Sequence, residues 1–152
     1  MRADSTTLAP PKAPWHLWVV AALFLLIGLA GALDYLMCLT ANAAYFASQH
    51  YTPTQIAYFT VDYPLATRVV WTVAVACGLA APLLLLSRSR RAAPVALGFF
   101  LAQLALDGVT FGFYERWERL GARLAALDVV VVSLSLGLLV YARRGVRRGW
   151  LR

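Results

Sequence analysis

The chain predicts an all-α fold, a four-transmembrane-helix bundle with a short interfacial helix in its first outer loop. Hydrophobic residues make up 61% of its 152 residues and charged residues only 14%, with a mean hydropathy of +0.67. A typical soluble domain carries about 25% charged residues. The apolar residues also form four long runs, separated by short polar or basic segments. A lipid bilayer is therefore the expected partner of this single domain.

The net charge of +7 raises the alternative of a nucleic-acid-binding protein. The arginines, however, form short clusters between the apolar runs, as loops do at an anionic membrane face. We therefore expect no nucleic-acid partner. The two cysteines, Cys38 and Cys77, lie inside apolar runs without the spacing of a disulfide framework or a metal site, so no metal is expected.

The first span is predicted over residues 15–40, after a disordered cytoplasmic tail of residues 1–14. Trp15 and Trp18 mark the headgroup level, and residues 13–33 carry no charge, which is long enough to cross the hydrocarbon core. A cleaved signal peptide is the alternative, because Ala30 and Ala32 form a small-residue cleavage pattern.

The first outer loop, residues 40–67, contains no Lys or Arg and is dense in aromatic residues. Thr52-Pro53-Thr54-Gln55 matches a capping box with proline at the first helical position, which predicts a short helix over about residues 53–60. The aromatic residues fit an interfacial belt or, alternatively, a platform on which a ligand stacks.

Three further helices are predicted over residues 65–87, 92–113 and 122–142, followed by a basic cytoplasmic tail of residues 143–152. The uncharged parts of the last two helices reach only about 22 Å, short of the roughly 30 Å hydrocarbon core. Asp107 and Asp128 are therefore expected inside the membrane or at its edge.

Lys and Arg residues predict the orientation. Most of them fall in the two tails and in the loop at residues 88–91, and few fall in the other loops. Because basic residues concentrate on the cytoplasmic side, both termini are expected in the cytoplasm.

The unusual polar residues of the four spans fall at one level, near the outer surface. Gln103, Asp107, Thr110 and Tyr114 follow helical spacing as a single stripe. We expect such stripes to face inward, because lipid offers no hydrogen-bond partner. The predicted ligand-binding or proton-coupling residues are Asp34, Arg68, Gln103, Asp107 and Asp128, with Asp107 favoured for the proton-coupled role. The predicted pocket-lining residues are Cys38, Asn42, Thr72, Thr110 and Tyr114.

Two functions fit this arrangement. In one, a pocket open to the periplasmic side binds or transports a small polar solute, in a protein that forms a homo-oligomer. In the other, the protein does not transport, and Arg68 pairs with one or two aspartates to lock the bundle or a partner. No catalytic motif is present, so we predict neither an enzyme nor a cofactor. A quinone or lipid redox component would require a bound chromophore.

Three segments, GALDYLMCLTANAAYF, TPTQIAYF and LLLLSRSRRA, give the chain a family resemblance. Over about residues 15–105 it resembles a family of small bacterial four-helix inner-membrane proteins, some of which are labelled sugar transporters. The resemblance implies membership of this family and its topology, that of a multi-pass protein of the bacterial inner membrane, and the label makes the solute of the first function sugar-like. It implies no functional residues.

Overall fold

The computed structural model describes residues 13–152, so residues 1–12 of the predicted tail lie outside the described residues. The described chain forms six helices. Four of them, the first and the last three, are long and apolar enough to cross a membrane. The predicted four-span bundle is confirmed, including the short helix in the first loop. The helices are α1 (Trp15–Leu39), α2 (Ala43–Ser48), α3 (Pro53–Thr60), α4 (Leu65–Leu86), α5 (Ala92–Phe113) and α6 (Arg116–Arg147).

The four long helices pack in sequence order. Helix α1 contacts α4, α4 contacts α5, and α5 contacts α6. Helices α1 and α6 are not packed extensively together, but they meet at one end, where His16 Nδ1 lies 2.6 Å from the Tyr141 hydroxyl. The bundle is therefore open along one side and closed at one end, which we call the closed end.

Small and medium apolar side chains fill the closed end. Its buried cluster contains Leu17, Ala21, Ala81, Leu85, Ala92, Ala96, Leu138, Leu139, Ala142 and Leu151. Helix α6 runs past its predicted end at residue 142, and the chain then returns to the turn before α5, where the Arg90 amide donates to the Arg152 carbonyl at 2.9 Å. The predicted basic tail is thus part of this end of the fold.

Helices α2 and α3 form a cap over the opposite end. The Tyr45 amide donates to the Asn42 side chain at the start of α2. Thr52 and Gln55 make the predicted capping box of α3. The aromatic rings of this region pack against one another, most of them edge to face, so the aromatic loop is the folded core of the cap. This aromatic cluster consists of Phe46, Tyr51, Tyr58, Phe59, Tyr63 and Trp71.

A close backbone contact joins α1 to α4. Pro82 lies inside α4 and has no amide hydrogen, so the carbonyl of Gly78, four residues earlier, lacks its usual helical donor. A Cβ atom placed on Gly28 would lie 3.0 Å from that carbonyl oxygen. Gly28 therefore lets α1 approach closely and turns a Cα hydrogen toward the carbonyl.

We expect Gly28→Ala to weaken the docking of α1, because its methyl group would press on the Gly78 carbonyl. The expected loss is about 1–3 kcal/mol of unfolding free energy, measured by denaturant titration in mixed micelles. Gly31→Ala is the matched control, because nothing lies within 4 Å of the added Cβ at that position. Equal stability of the two variants would show that the contact between Gly28 and Gly78 is unimportant.

Candidate ligand-binding cavity

A cavity of about 620 Å³ lies between α1 and α6, backed by α4 and α5. Along α1 its lining runs from Phe24 to Asp34, a distance of about 15 Å. The wall nearest the closed end is apolar, and the polar groups gather at the cap end. These polar lining residues include Asp34, Tyr45, Gln55, Gln103, Arg116, Arg123 and Asp128.

A buried ion pair forms the centre of the polar end. Arg116 Nε donates to Asp128 Oδ2 at 2.6 Å, and Nη2 donates to Oδ1 at 2.8 Å. The two side chains are only 10% and 12% exposed. The pair is bidentate, because two guanidinium N–H groups each donate to a different oxygen of the carboxylate. The third guanidinium nitrogen, Nη1, is buried and makes no hydrogen bond within the described chain.

The hydroxyl of Tyr58 is the other buried polar atom without a hydrogen bond in the described chain. The Arg116 guanidinium lies 6.0 Å from the centre of the Tyr58 ring. Burial raises the pKa of Tyr58, and a hydrogen-bonding interaction with Arg116 and the Arg116 charge oppose that rise. The two buried groups are therefore neighbours that interact with each other on this side of the ion pair.

A break in α6 brings Arg116 to Asp128. On a straight helix, two residues 12 positions apart would be about 18 Å apart along the axis. Gly121 has φ 79° and ψ 172°, a conformation that is essentially restricted to glycine. The chain turns there, so that the first turn of α6 folds back toward the second part of the helix.

Gln55 on α3 holds this break in place. Its Nε2 donates to the carbonyl of Leu120 at 2.8 Å, while its Oε1 accepts from the Thr52 amide at 2.9 Å. One side chain thus caps α3 and also satisfies a carbonyl beside the break. The hydrogen bond from Gln55 to Leu120 therefore joins the cap to α6.

Asp34 lies on the opposite wall of the cavity. Its Oδ1 accepts from the Tyr45 hydroxyl at 2.5 Å. Burial, followed by the hydrogen bond to Asp34, raises the pKa of Tyr45, which keeps this hydroxyl protonated as the donor. The charges of Arg116 and Asp128 both act on Asp34, so the three groups form one electrostatic cluster.

The predicted polar stripe on α5 is buried, and only part of it reaches the cavity. Gln103 lines the cavity and donates from Nε2 to Asp107 Oδ1 at 3.1 Å. Asp107 is behind Gln103 and is not part of the lining. Thr110 donates to the Leu106 carbonyl within its own helix, and Tyr114 packs against the aromatic cluster.

Arg68 takes a different position from the one predicted. Instead of pairing with an aspartate, its guanidinium donates to the carbonyls of Phe59, Thr60 and Tyr63 at 3.2–3.3 Å. Two of these carbonyls belong to the last turn of α3, which lacks helical donors and carries the negative end of the helix dipole. The expectation that Arg68 joins the aspartates is therefore wrong, because these carbonyls take up its donors.

The five residues predicted to line the pocket are absent from the cavity wall: Cys38, Asn42, Thr72, Thr110 and Tyr114. Helix α1 ends at Leu39, before it reaches Asn42, so Asn42 does not share a helical face with Asp34. Asn42 caps α2 instead. Cys38 is buried with the aromatic cluster, and Thr72 shares a 2.7 Å hydrogen bond with the Tyr35 hydroxyl.

Arg116 is the residue that sequence reasoning missed, because it lies before the predicted start of the last helix at residue 122. The available signal was indirect. The short uncharged run after residue 128 places Asp128 in the membrane, where a carboxylate needs a cation. Gly121 is the point at which the preceding arginines could turn back toward it. Helical spacing alone offered no reason to choose Arg116 over Arg119 or Arg123.

Within residues 13–152, no group of three or more His, Cys, Asp or Glu side chains is arranged to hold a metal ion.

Comparisons of the chain with protein-family models, with curated proteins and with solved structures find no match. The cavity geometry therefore carries the functional argument. It offers a mixed set of donors and acceptors at the cap end of a deep apolar space.

We expect Arg116→Gln to cost about 3–5 kcal/mol of unfolding free energy, because Asp128 would remain buried without its cation. Arg116→Gln combined with Asp128→Asn should recover much of that loss, since no buried charge is then left unpaired. Denaturant titration in mixed micelles measures both. Arg119→Gln is the matched control: Arg119 pairs with Asp62 at 2.8 Å, but these side chains are 41% and 47% exposed, so we expect a loss of about 1 kcal/mol or less. Equal losses for Arg116→Gln and Arg119→Gln would contradict a special role of the buried pair.

Gly121→Ala should destabilise the protein by about 1–3 kcal/mol through backbone strain, because alanine avoids this conformation. Space is not the cause, since nothing lies within 4 Å of an added Cβ at Gly121. The control is Gly137→Ala on the same helix, where the Cβ is equally free and the backbone is helical. If thermal unfolding in lipid nanodiscs shows no difference between these variants, the break does not depend on glycine.

Proposed function

We propose that this chain is a multi-pass protein of the bacterial inner membrane that binds a small polar solute, sugar-like in its hydroxyl groups, in the cavity between α1 and α6. One observation carries the proposal. Four polar side chains from three membrane helices, Asp34, Gln103, Arg116 and Asp128, meet at one end of a cavity of about 620 Å³. A cavity of this size with a few convergent polar groups is typical of a small-molecule site.

The hydrogen-bonding capacity of the site suits a hydroxylated solute. The Asp34 carboxyl lines the cavity and can accept from a ligand hydroxyl in addition to Tyr45. The Gln103 amide can donate or accept. A hydroxyl group serves as both donor and acceptor, so it satisfies either side of the cavity.

Transport would require a second conformation. The apolar cluster at the closed end blocks the path from the cavity toward Trp15 and the turn before α5. A transporter must open this cluster while it closes the cap end. Uptake of solute into proteoliposomes would distinguish a transporter from a binding protein.

The alternative function is structural, and the buried ion pair favours it. Arg116 and Asp128 satisfy each other in two hydrogen bonds, and Arg116 lies beside the cap. In this alternative the charges hold α6 and the cap together, or hold a partner, and the cavity is a by-product of that packing. The protein then has a stable fold but no solute.

The remaining parts of the proposal follow from charge and family resemblance. We place both termini in the cytoplasm, because the basic residues concentrate in the tails and at residues 88–91. The cap and the polar end of the cavity then face the periplasm. A homo-oligomer and the absence of enzymatic activity belong to the same proposal.

Thermal unfolding of the protein in lipid nanodiscs, screened against sugars, amines and organic acids, tests the proposal. A bound solute at 100 times its Kd should stabilise the folded state by about 2.7 kcal/mol. We expect Asp34→Asn to keep the unliganded melting temperature and lose the solute-dependent increase. Asp62→Asn, at the exposed acid outside the cavity, should keep both.

The two functions give different results in this screen. A screen without any stabilising solute, together with a large drop in the unliganded melting temperature of Asp128→Asn, would favour the structural function. A solute-dependent increase that survives Asp34→Asn would remove Asp34 from the site.

A further inference from the structure

The apolar part of the cavity calls for a ligand with a hydrocarbon portion. Below Asp34 the wall is formed by side chains such as Phe24, Phe99, Val131 and Leu134. A small polar solute would occupy the cap end and leave this lower space without a favourable contact. A bound molecule with an apolar tail would fill both parts.

The cavity also borders the lipid. Ile27, Ala30 and Gly31 on α1 and Leu127 on α6 line the cavity and are exposed residues. They lie within membrane-spanning helices, and α1 and α6 lack extensive packing with each other. The gap between these helices therefore faces acyl chains along the middle of the span.

The polar end selects the type of head group. Asp34 on α1 and Gln103 on α5 both line the cavity, and they offer a carboxylate acceptor and an amide that can donate or accept. Asp34 and Asp128 would repel an anionic head group, whereas Arg116 and Arg123 would repel a cationic one. A neutral hydroxyl group can donate to Asp34 and accept from the Gln103 amide.

We propose that the ligand is an amphiphile dissolved in the membrane, with a neutral hydroxylated head group and a hydrocarbon chain, that enters sideways between α1 and α6. Its head group lies between Asp34 and Gln103, and its chain fills the apolar space toward Phe24. This proposal rests on the proposed function, because it assigns the ligand class and the entry route of the same cavity.

Trp71 provides a reporter, because it lines the cavity. In a variant with the other tryptophans replaced by phenylalanine (Trp15, Trp18, Trp117 and Trp150), fluorescence reports on that wall alone. The protein is placed in phosphatidylcholine nanodiscs and titrated with monoacylglycerol whose acyl chain is dibrominated next to the head group, since bromine quenches tryptophan on contact and the Trp71 ring is 5.0 Å from that of Tyr35, at the level of Asp34. The methyl ester and the free acid with the same brominated chain are the comparison probes.

We expect saturable quenching of Trp71 by the monoacylglycerol at a mole fraction about tenfold lower than for the methyl ester, as two additional hydrogen bonds would give. The free acid should bind more weakly than the monoacylglycerol because of the two aspartates. Equal quenching by the three probes would mean simple mixing with bulk lipid and would overturn the proposal. Tighter binding of the free acid would overturn the assigned head group.

A pair of glycine variants tests the entry route. Gly31→Phe places a ring at the gap, and Gly108→Phe places one on the exposed side of α5, outside the cavity wall. Nothing lies within 4 Å of an added Cβ at either position, so both variants should fold. Gly31→Phe should weaken quenching about tenfold, the effect of losing roughly 1.4 kcal/mol of binding, and Gly108→Phe should leave it unchanged. Identical behaviour of the two variants would overturn entry between α1 and α6.

The failure of this inference is distinguishable from the failure of the proposed function. If water-soluble sugars or glycerol stabilise the protein while no brominated amphiphile gives saturable quenching, the cavity binds a polar solute and the amphiphile proposal is wrong. If neither class of molecule binds, both proposals are wrong.

Discussion

A carboxylate inside a membrane must find a cation or lose its charge, and this constraint shapes the cap end of the bundle. The uncharged run after Asp128 is too short to cross the hydrocarbon core by itself, so the span includes this acid. Arg116 reaches it because α6 breaks at Gly121. The carbonyl of Leu120, beside the break, is then satisfied by Gln55 from α3. A single requirement for charge neutralisation thus links the length of a span, a glycine conformation and the position of the cap.

The fold could be predicted from the sequence because its signals are local. Hydropathy marks the four spans, and the capping box of Thr52 and Gln55 marks α3. The inward position of the α5 stripe also follows from helical spacing, and Gln103 and Asp107 are buried together. The partners at the site could not be predicted in the same way. Arg116 reaches Asp128 only through a backbone turn, and Tyr45 reaches Asp34 only because α1 ends and the chain folds back.

The misplacement of Arg68 has a different physical origin. The sequence predicts that Arg68 pairs with a carboxylate, because a carboxylate is the strongest partner for a guanidinium group inside a membrane. The last turn of α3 ends at Thr60, a few residues before α4 begins at Leu65, and its carbonyls have no helical donors. Three neutral acceptors close to the backbone of Arg68 serve the guanidinium without the cost of bringing another charge into the bundle. Charged residues can be read directly from a sequence. The carbonyls without helical donors can be identified only when the ends of the helices are known.

The aromatic cluster of the cap has a spectroscopic consequence. Six rings, among them Trp71, lie in fixed contact at centroid separations such as 5.5 Å for Phe46 and Tyr51. Fixed aromatic side chains produce near-ultraviolet circular dichroism, whereas the backbone of the spans dominates the far-ultraviolet signal. Loosening of the cap would therefore appear in the first spectrum while the second remains helical. The molecule carries its own optical probe for movement at the cap end of its cavity.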